Sequence, residues 1–100
     1  MTTVYVTTPP SAAAEIAETL IEDELAACVN RLECHSTFRW DDDIVHEEEV
    51  VLIIKTTADR YDAVKSHVEA IHPHDVPCIE RFEEADRAEA FTEWVDESVQ

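Results

Sequence analysis

The sequence has 100 residues, 45% of them hydrophobic, with 24 acidic and 7 basic side chains and a formal net charge of -17 at pH 7. This size and composition predict one compact domain over residues 1–100, and the acidity excludes binding to nucleic acid or to anionic membranes, which requires basic patches. The sequence contains no glycine, which excludes P-loops, dinucleotide-binding fingerprints and nucleophile elbows.

The apolar runs, the charge and the cysteines indicate where the protein works. No apolar run approaches the roughly 20 residues of a membrane span, and the chain does not open on a basic leader, so we expect a soluble protein that is not secreted. The cysteines Cys28, Cys34 and Cys78 have neither zinc nor redox spacing, so free thiols in a reducing cytoplasm are expected. Molar salt shortens the Debye length to about 3 Å and screens the repulsion between carboxylates. We therefore expect a halophile-type cytoplasm.

The first half of the chain predicts a strand, a helix and a long hairpin. The β-branched and aromatic run Thr2 to Thr8 predicts a strand. Ser11 is the expected N-cap of an amphipathic helix over Ala12 to Leu25, whose apolar residues recur at helical spacing. Extended segments follow over Ala26 to Trp40 and Ile44 to Thr56, and the acidic turn between them joins the two strands in a hairpin.

The second half predicts a helix, a strand and a final helix. Thr57 is the expected cap of the second helix, which Pro73 ends. A fourth strand over Val76 to Phe82 and a last helix over Arg87 to Val99 follow. The order β-α-β-β-α-β-α predicts an α+β fold, a ferredoxin-like βαββαβ sandwich with an extra C-terminal helix, in which helices cover one face of an antiparallel sheet.

The segment between the second helix and the fourth strand carries the clearest chemistry. It contains two imidazoles, a carboxylate and a thiol, from His72, His74, Asp75 and Cys78. In an extended backbone the side chains of His72 and His74 point the same way. Borderline and soft donors of this kind suit Cu(II), with Zn or Co as alternatives, better than Mg or Ca. The sequence therefore predicts a divalent-metal site of these four residues; the alternative is a rigid loop whose histidines are hydrogen-bonded or solvated.

Weaker candidates lie elsewhere in the chain. Cys34 and His35 form a second potential metal pair, although neighbouring side chains on a strand point to opposite faces unless a bulge turns one of them. The run Glu47-Glu48-Glu49 with His46 could bind a hard cation, but because it opens a strand we expect it in solvent. We expect structural or surface roles for the remaining residues: Cys28 as a small buried hydrophobe between helix and sheet, His67 at a helix surface, and Tyr5 and Trp40 as packing or interface anchors.

Short segments spread along the chain form a recognisable set: Val6-Thr7-Thr8-Pro9, Leu25-Ala26-Ala27-Cys28-Val29-Asn30, Arg39-Trp40, Glu49-Val50-Val51-Leu52-Ile53-Ile54-Lys55-Thr56, His72-Pro73, Val76-Pro77 and the helix with Trp94. Together they resemble the CutA family of divalent-cation-tolerance proteins over nearly the whole chain. The resemblance implies a ferredoxin-like subunit that forms a homotrimer by joining sheet edges through the long hairpin, with an architecture similar to PII-type signalling proteins. It also implies binding of copper and other divalent metals without catalytic activity.

The chain departs from the family pattern at the loop and at the hairpin turn. His74, Asp75 and Cys78 stand where the family commonly has Tyr, Glu and Glu, so two of the three changes introduce borderline or soft ligands. The turn Asp41-Asp42-Asp43 replaces one that contains a glycine and a base. We expect a similar hairpin, with Asp42 in the left-handed region.

These observations favour a trimeric, divalent metal (copper-type) binding protein that acts in divalent cation tolerance and in the response to metal ions. In such a trimer a neighbouring subunit could supply a missing ligand. One alternative is a structural or signalling trimer that binds an unidentified protein partner without a metal. A second alternative is an enzyme in which His72 or His74 activates Cys78. We expect no enzyme, because neither a base within reach nor an oxyanion site is evident.

Overall fold

Strands and helices follow one another in the predicted order. A computed structural model describes residues 1–100, and its elements are β1 (Thr2–Thr8), α1 (Pro10–Glu22), β2 (Cys28–Trp40), β3 (Asp43–Thr56), a 3-10 turn (Ala58–Arg60), α2 (Tyr61–Ile71), β4 (Cys78–Phe82) and α3 (Glu89–Ser98). No helix has both the length and the apolar character needed to cross a membrane. The predicted α+β class and the extra C-terminal helix are confirmed.

The sheet has four antiparallel strands in the order β2-β3-β1-β4. The register of β1 against β3 runs from Thr2 opposite Thr56 to Thr8 opposite Val50. The hairpin of β2 and β3 continues beyond this point, from Glu33 opposite Val50 to Trp40 opposite Asp43, and there each strand has only the other as a neighbour. The long hairpin is therefore confirmed, and β2 and β4 form the two edges of the sheet.

The core lies between one face of the sheet and the helices α1 and α2. Residues alternate along a strand, so the inward positions of β1 and β3 carry apolar side chains that are fully buried. Burying each such side chain stabilises the fold by about 1.5 to 3 kcal/mol. The fully buried residues of this core are Val4, Val6, Ile16, Leu20, Leu52, Ile54, Val64 and Val68.

The opposite face of the sheet, called here the second face, carries the alternate residues of every strand. Its members follow from the register and include Tyr5 and Thr7 on β1, Cys34, Ser36, Phe38 and Trp40 on β2, Glu47, Glu49 and Ile53 on β3, and Cys78, Glu80 and Phe82 on β4. The third helix, α3, lies at one end of the sheet. There the Met1 amino group lies 3.6 Å from Asp96, and the amide of Gln100 donates to the carbonyl of Glu24.

Both predicted helix caps are wrong. Helix α1 begins at Pro10 with Pro9 as its N-cap residue, and the Ser11 side chain does not cap it. Proline suits the first helical position, because its φ is already helical and the amide hydrogen it lacks would have no intrahelical acceptor. The helix also ends at Glu22, before Leu25, since Glu24 takes a positive φ of 55°. Thr57 precedes a 3-10 turn and makes no capping hydrogen bond through its side chain.

The hairpin turn forms without glycine. Asp41 and Asp42 have φ angles of 49° and 66°, and Trp40 pairs with Asp43 on either side of them. Two successive residues with positive φ give the twist that a two-residue hairpin needs, and Asp tolerates this region better than most residues do. The expected left-handed conformation of Asp42 is confirmed, and Asp41 shares it.

Candidate functional site

The loop between α2 and β4 lies beside the end of β1. Helix α2 stops at Ile71, and His72 is already extended, with φ -62° and ψ 129°. The following proline disfavours a helical conformation for His72. Cys78 then opens β4 and pairs with Thr7. The loop residues that were predicted to bind metal therefore stand next to the second face of the sheet.

His72 uses both of its ring nitrogens to hold this loop. The residue is 7% exposed, and Nε2 lies 2.8 Å from the carbonyl oxygen of Thr7. Its Nδ1 lies 3.1 Å from the backbone nitrogen of His74, which donates to it. A carbonyl only accepts and an amide N–H only donates, so His72 is a neutral imidazole with its hydrogen on Nε2. A metal ion would have to displace one of these two bonds, so His72 is better suited to positioning the loop.

The other loop residues border a cavity of about 560 Å³. The hairpin forms its opposite wall, so donors that are distant in sequence face one space. The residues that line it are Thr7, Ser36, Phe38, Trp40, Glu47, Glu49, Pro73, His74, Asp75, Val76 and Cys78. His74 and Asp75 are exposed, and Cys78 is half-buried. Three of the four predicted ligands thus share one cavity with two carboxylates of β3.

Glu49 is the residue of this cavity whose burial the sequence interpretation missed. It was expected in solvent with Glu47 and Glu48, yet it is only 8% exposed. Its carboxylate takes part in none of the chain's ion pairs, and its oxygens are not among the buried side-chain atoms that lack a hydrogen-bond partner. The alternation of β3 gives only the face of Glu49, which it shares with Ile53. Glu47 lies on the same face and is exposed, so the burial of Glu49 depends on elements distant in sequence.

Burial and a neighbouring carboxylate disfavour the thiolate of Cys78. Burial raises the pKa of the Cys78 thiol, and the Glu80 carboxylate, which accepts a hydrogen bond from Sγ at 3.5 Å, raises it further. Burial likewise raises the pKa of the Tyr5 phenol, with further contributions from Cys78, Cys34 and Glu80. The Cys78 thiol is therefore protonated at neutral pH, and a metal ion that binds it must displace a proton.

One chain alone does not close a metal site. No group of three or more His, Cys, Asp or Glu side chains is placed so that it could hold a metal ion. Cys34 and His35 lie on opposite faces of β2, because the pairing of β2 with β3 is regular through Glu49 and Glu48 and contains no bulge. The structure therefore does not bring this second pair together.

Two structural expectations from the sequence are wrong. Cys28 is half-buried and lies on the second face, because the neighbouring Val29 takes the helix-facing position opposite Ile54. His67 is not a free surface residue: Nε2 lies 2.7 Å from the Thr19 hydroxyl, which is 48 residues away. His67 therefore connects α2 to α1, a contact that periodicity within one helix cannot reveal.

The aromatic residues of the second face differ in their surroundings. Tyr5 packs within the chain, with its ring centroid 6.0 Å from that of Phe82. Trp40 is 53% exposed at the far end of the hairpin, where it lines the cavity. Packing within the chain accounts for Tyr5, and the interface role of Trp40 stays a prediction.

Comparison with known proteins identifies the family. The family model described as CutA1 divalent ion tolerance protein matches residues 2–98. The chain belongs to this CutA1 family. The divalent-cation tolerance protein CutA of Archaeoglobus fulgidus is 36% identical over 98 residues, which cover 97% of this chain and 96% of that protein. The CutA of Thermus thermophilus is 36% identical over 97 residues, covering 95% and 94%. The resemblance inferred from the sequence is confirmed.

Solved CutA1 structures confirm the fold. The CutA of Pyrococcus horikoshii superposes with a TM-score of 0.95 at 33% identity, over 100% of both chains. The A. fulgidus CutA, described as periplasmic, has a TM-score of 0.95 at 34% identity, covering 99% and 98%. A PII-like CutA from Nostoc has a TM-score of 0.96 at 24% identity, over 100% of this chain and 98% of that chain, and shares the fold. Neither the CutA1 family nor these relatives carry the name of an enzyme.

Proposed function

We propose that this protein is a homotrimeric, non-catalytic divalent-metal-binding protein that acts in divalent cation tolerance. Cu(II) is the favoured metal, with Zn(II) and Co(II) as alternatives, because imidazole and thiolate donors suit these ions. One observation carries the proposal: His74, Asp75 and Cys78 of the loop share a single cavity with Glu49 of the hairpin. The names of the family and of its relatives support the role in cation tolerance.

The residues of the cavity have different roles in this proposal. His74 and Cys78 supply the nitrogen and sulfur donors, and Asp75 either completes the set or accepts a hydrogen bond from the His74 ring. His72, whose nitrogens bond the backbone of Thr7 and His74, positions the loop. Since no three donors of one chain converge, the remaining ligand comes from a neighbouring subunit. Metal binding and assembly would then stabilise each other.

The free edges and apolar side chains of the sheet support the homotrimer. Strands β2 and β4 have unpaired backbone groups along their outer edges, which is the usual template for pairing with another strand. The outer hairpin also exposes large apolar residues, among them Leu32, Trp40 and Ile44. Apolar side chains exposed on such a hairpin are suited to burial against another copy. Sheet-edge pairing of three copies would cover it.

We place the protein in a cytoplasm of high salt. The net charge of -17 requires strong screening, and the cysteines are free. The A. fulgidus relative is described as periplasmic, whereas the acidity and the free cysteines of this chain favour a cytoplasm of high salt.

Catalysis by Cys78 is disfavoured by its surroundings. A nucleophilic cysteine needs a stabilised thiolate and a base within hydrogen-bond reach. Here the thiol bonds the carboxylate of Glu80, and burial raises the pKa of Cys78. The loop histidines make their bonds elsewhere or face solvent.

A signalling trimer that binds a protein partner without metal is the second candidate. The absence of a closed metal site in one chain favours it. Thermal unfolding with and without Cu(II), Zn(II) and Co(II) separates the two, because an ion that binds only the folded state raises the melting temperature. A melting temperature unchanged by every metal supports the second candidate.

Calorimetry at molar salt tests the metal site directly. Cu(II), Zn(II) and Co(II) are titrated into the wild type, His74→Ala, Cys78→Ser and the matched control His35→Ala, whose imidazole is exposed on the other face of β2. We expect His74→Ala and Cys78→Ser each to weaken binding by at least about tenfold. His35→Ala should bind as the wild type does. Equal binding by all four proteins would remove the cavity as the site.

A further inference from the structure

We propose that His67 of α2 and Asp23 at the end of α1 form a separate divalent-metal site, which binds Zn(II) or a similar borderline ion between the two helices. These helices cover the core face of the sheet, whereas the cavity of the loop and the hairpin lies at the second face. The two sites share no residue, so this inference does not rest on the proposed function. Neither residue belongs to the hairpin or to an edge strand, where the homotrimer is expected to form.

Thr19 fixes the position of the hydrogen on the His67 ring. Its Oγ1 lies 2.7 Å from the carbonyl oxygen of Glu15, to which it donates, and 2.7 Å from Nε2 of His67. A hydroxyl has one hydrogen to give, so towards His67 it accepts, and Nε2 carries the donated hydrogen. In the neutral imidazole, Nδ1 therefore presents a lone pair.

This lone pair of His67 meets a carboxylate. Nδ1 lies 3.7 Å from Oδ2 of Asp23, and in the neutral ring neither atom has a hydrogen to place between them. A cation at this point turns the repulsion of two electron-pair donors into attraction from both sides. Zn(II) binds imidazole nitrogen at about 2.0 to 2.1 Å and carboxylate oxygen at about 2.0 to 2.2 Å. One ion therefore reaches both atoms across the gap.

The surroundings of the pair are those that metal-binding histidines use. A histidine ligand usually donates its other N–H to an oxygen, which sets the tautomer and the direction of the ring. The Thr19 hydroxyl supplies this oxygen and is itself held by the Glu15 carbonyl. The backbone amide of Asp23 donates to the Thr19 carbonyl at 3.0 Å, so both ligands are fixed to the same turn of α1.

Water completes the coordination of the ion. No third His, Cys, Asp or Glu is placed to join the pair, and the Asp23 side chain is 61% exposed, against 18% for His67. A nitrogen donor beside a single carboxylate suits Zn(II) better than Ca²⁺ or Mg²⁺, which prefer oxygen ligands alone. A bound ion would join α1 to α2 and stabilise the folded state by mass action.

Zinc titration of the full chain tests the site, with the imidazole signals of ¹⁵N-labelled protein as the readout in NMR. The titration is run at molar salt and about pH 8, where an ordinary histidine is neutral. The protein carries His74→Ala/Cys78→Ser, which removes the nitrogen and sulfur donors of the cavity, so the outcome is independent of that site. We expect Zn(II) to shift the Nδ1 signal of His67 while Nε2 keeps its hydrogen.

Four further substitutions in the same protein identify the ligands. Asp23→Asn should weaken Zn(II) binding by at least about tenfold, whereas Glu22→Gln removes the neighbouring exposed carboxylate of α1 and should leave the affinity unchanged. Thr19→Val should weaken binding by about tenfold, because Nε2 loses its acceptor. Thr19→Ser keeps the hydroxyl and should retain the affinity.

Three results would overturn the inference. A proton on Nδ1 of His67 before zinc is added would show an ion pair with Asp23 in place of a metal site. An unshifted His67 signal at millimolar zinc would exclude binding, and equal affinities of Asp23→Asn and Glu22→Gln would exclude Asp23 as a ligand. Thermal unfolding verifies that each variant is folded, and Asp23→Asn, at an exposed position, keeps the test decisive where Thr19→Val does not fold.

Discussion

The Nε2 atom of His72 lies 2.8 Å from the carbonyl oxygen of Thr7, a residue 65 positions earlier in the chain. This bond fastens the loop that carries His74 and Cys78 to the end of β1. The Nδ1 atom accepts the amide of His74 and fixes the turn that follows. His72 therefore supports its neighbours in this fold, and metal binding by His72 stays a prediction.

Replacing His72 should destabilise the protein. His72→Ala leaves the Thr7 carbonyl without its donor and removes a buried ring, so we expect the free energy of unfolding to fall by about 2 to 3 kcal/mol. His74→Ala, at an exposed position, should change it by less than about 0.5 kcal/mol. Urea denaturation at fixed salt measures both. Equal effects of the two substitutions on the free energy of unfolding would show that the hydrogen bonds of His72 do not stabilise the fold.

The fold follows from the sequence far more completely than the site does. The run Thr2–Thr8 and the two arms of the hairpin are fixed by local alternation, so their strands could be predicted almost to the residue. The burial of Glu49 and the bond from His67 to Thr19 depend on elements that are distant in sequence. Local periodicity contains no such information. The sequence names the possible metal donors of the loop, but it does not show that His72 already uses both ring nitrogens in hydrogen bonds.

The reactivity of Cys78 should depend on pH in a defined way. Burial and the Glu80 carboxylate raise the pKa of this thiol, so its thiolate forms only at a higher pH than that of an ordinary cysteine. Because the thiolate is the reactive form, iodoacetamide should modify Cys78 more slowly than Cys34 at neutral pH, by at least about threefold. Glu80→Gln should speed the reaction. Mass spectrometry of timed samples measures the rates, and faster labelling of Cys78 in the wild type would contradict the account.

Salt should stabilise the protein strongly. Raising the salt from about 0.1 M to 1 M shortens the Debye length from about 10 Å to about 3 Å and screens the repulsion behind a net charge of -17. We expect the melting temperature to rise by at least about 5 °C, which corresponds to about 1 kcal/mol for a domain of this size. Glu18→Gln/Glu22→Gln should reduce the rise. A melting temperature independent of KCl would refute the expectation of a high-salt protein.

Assembly should depend on the second face of the hairpin. The wild type should have the mass of three 11.4 kDa chains in light scattering. Leu32→Lys places a charge on the edge strand at a residue that is 47% exposed in one chain, and burying that charge in an interface is costly, so we expect smaller species. Ile21→Lys, at a similarly exposed position of α1, serves as the matched control. A monomeric wild type, or equal dissociation of both variants, would exclude assembly through this surface.

We expect His74 and Cys78 to bind a divalent metal inside the cavity of the second face. Anomalous scattering from crystals grown at high salt and soaked with Cu(II) would locate the ion. We predict a peak about 2.0 to 2.3 Å from the His74 imidazole and the Cys78 sulfur, with any further ligand contributed by a neighbouring subunit. An anomalous map without a peak in this cavity, or with ordered copper only at other sites, would contradict the claim.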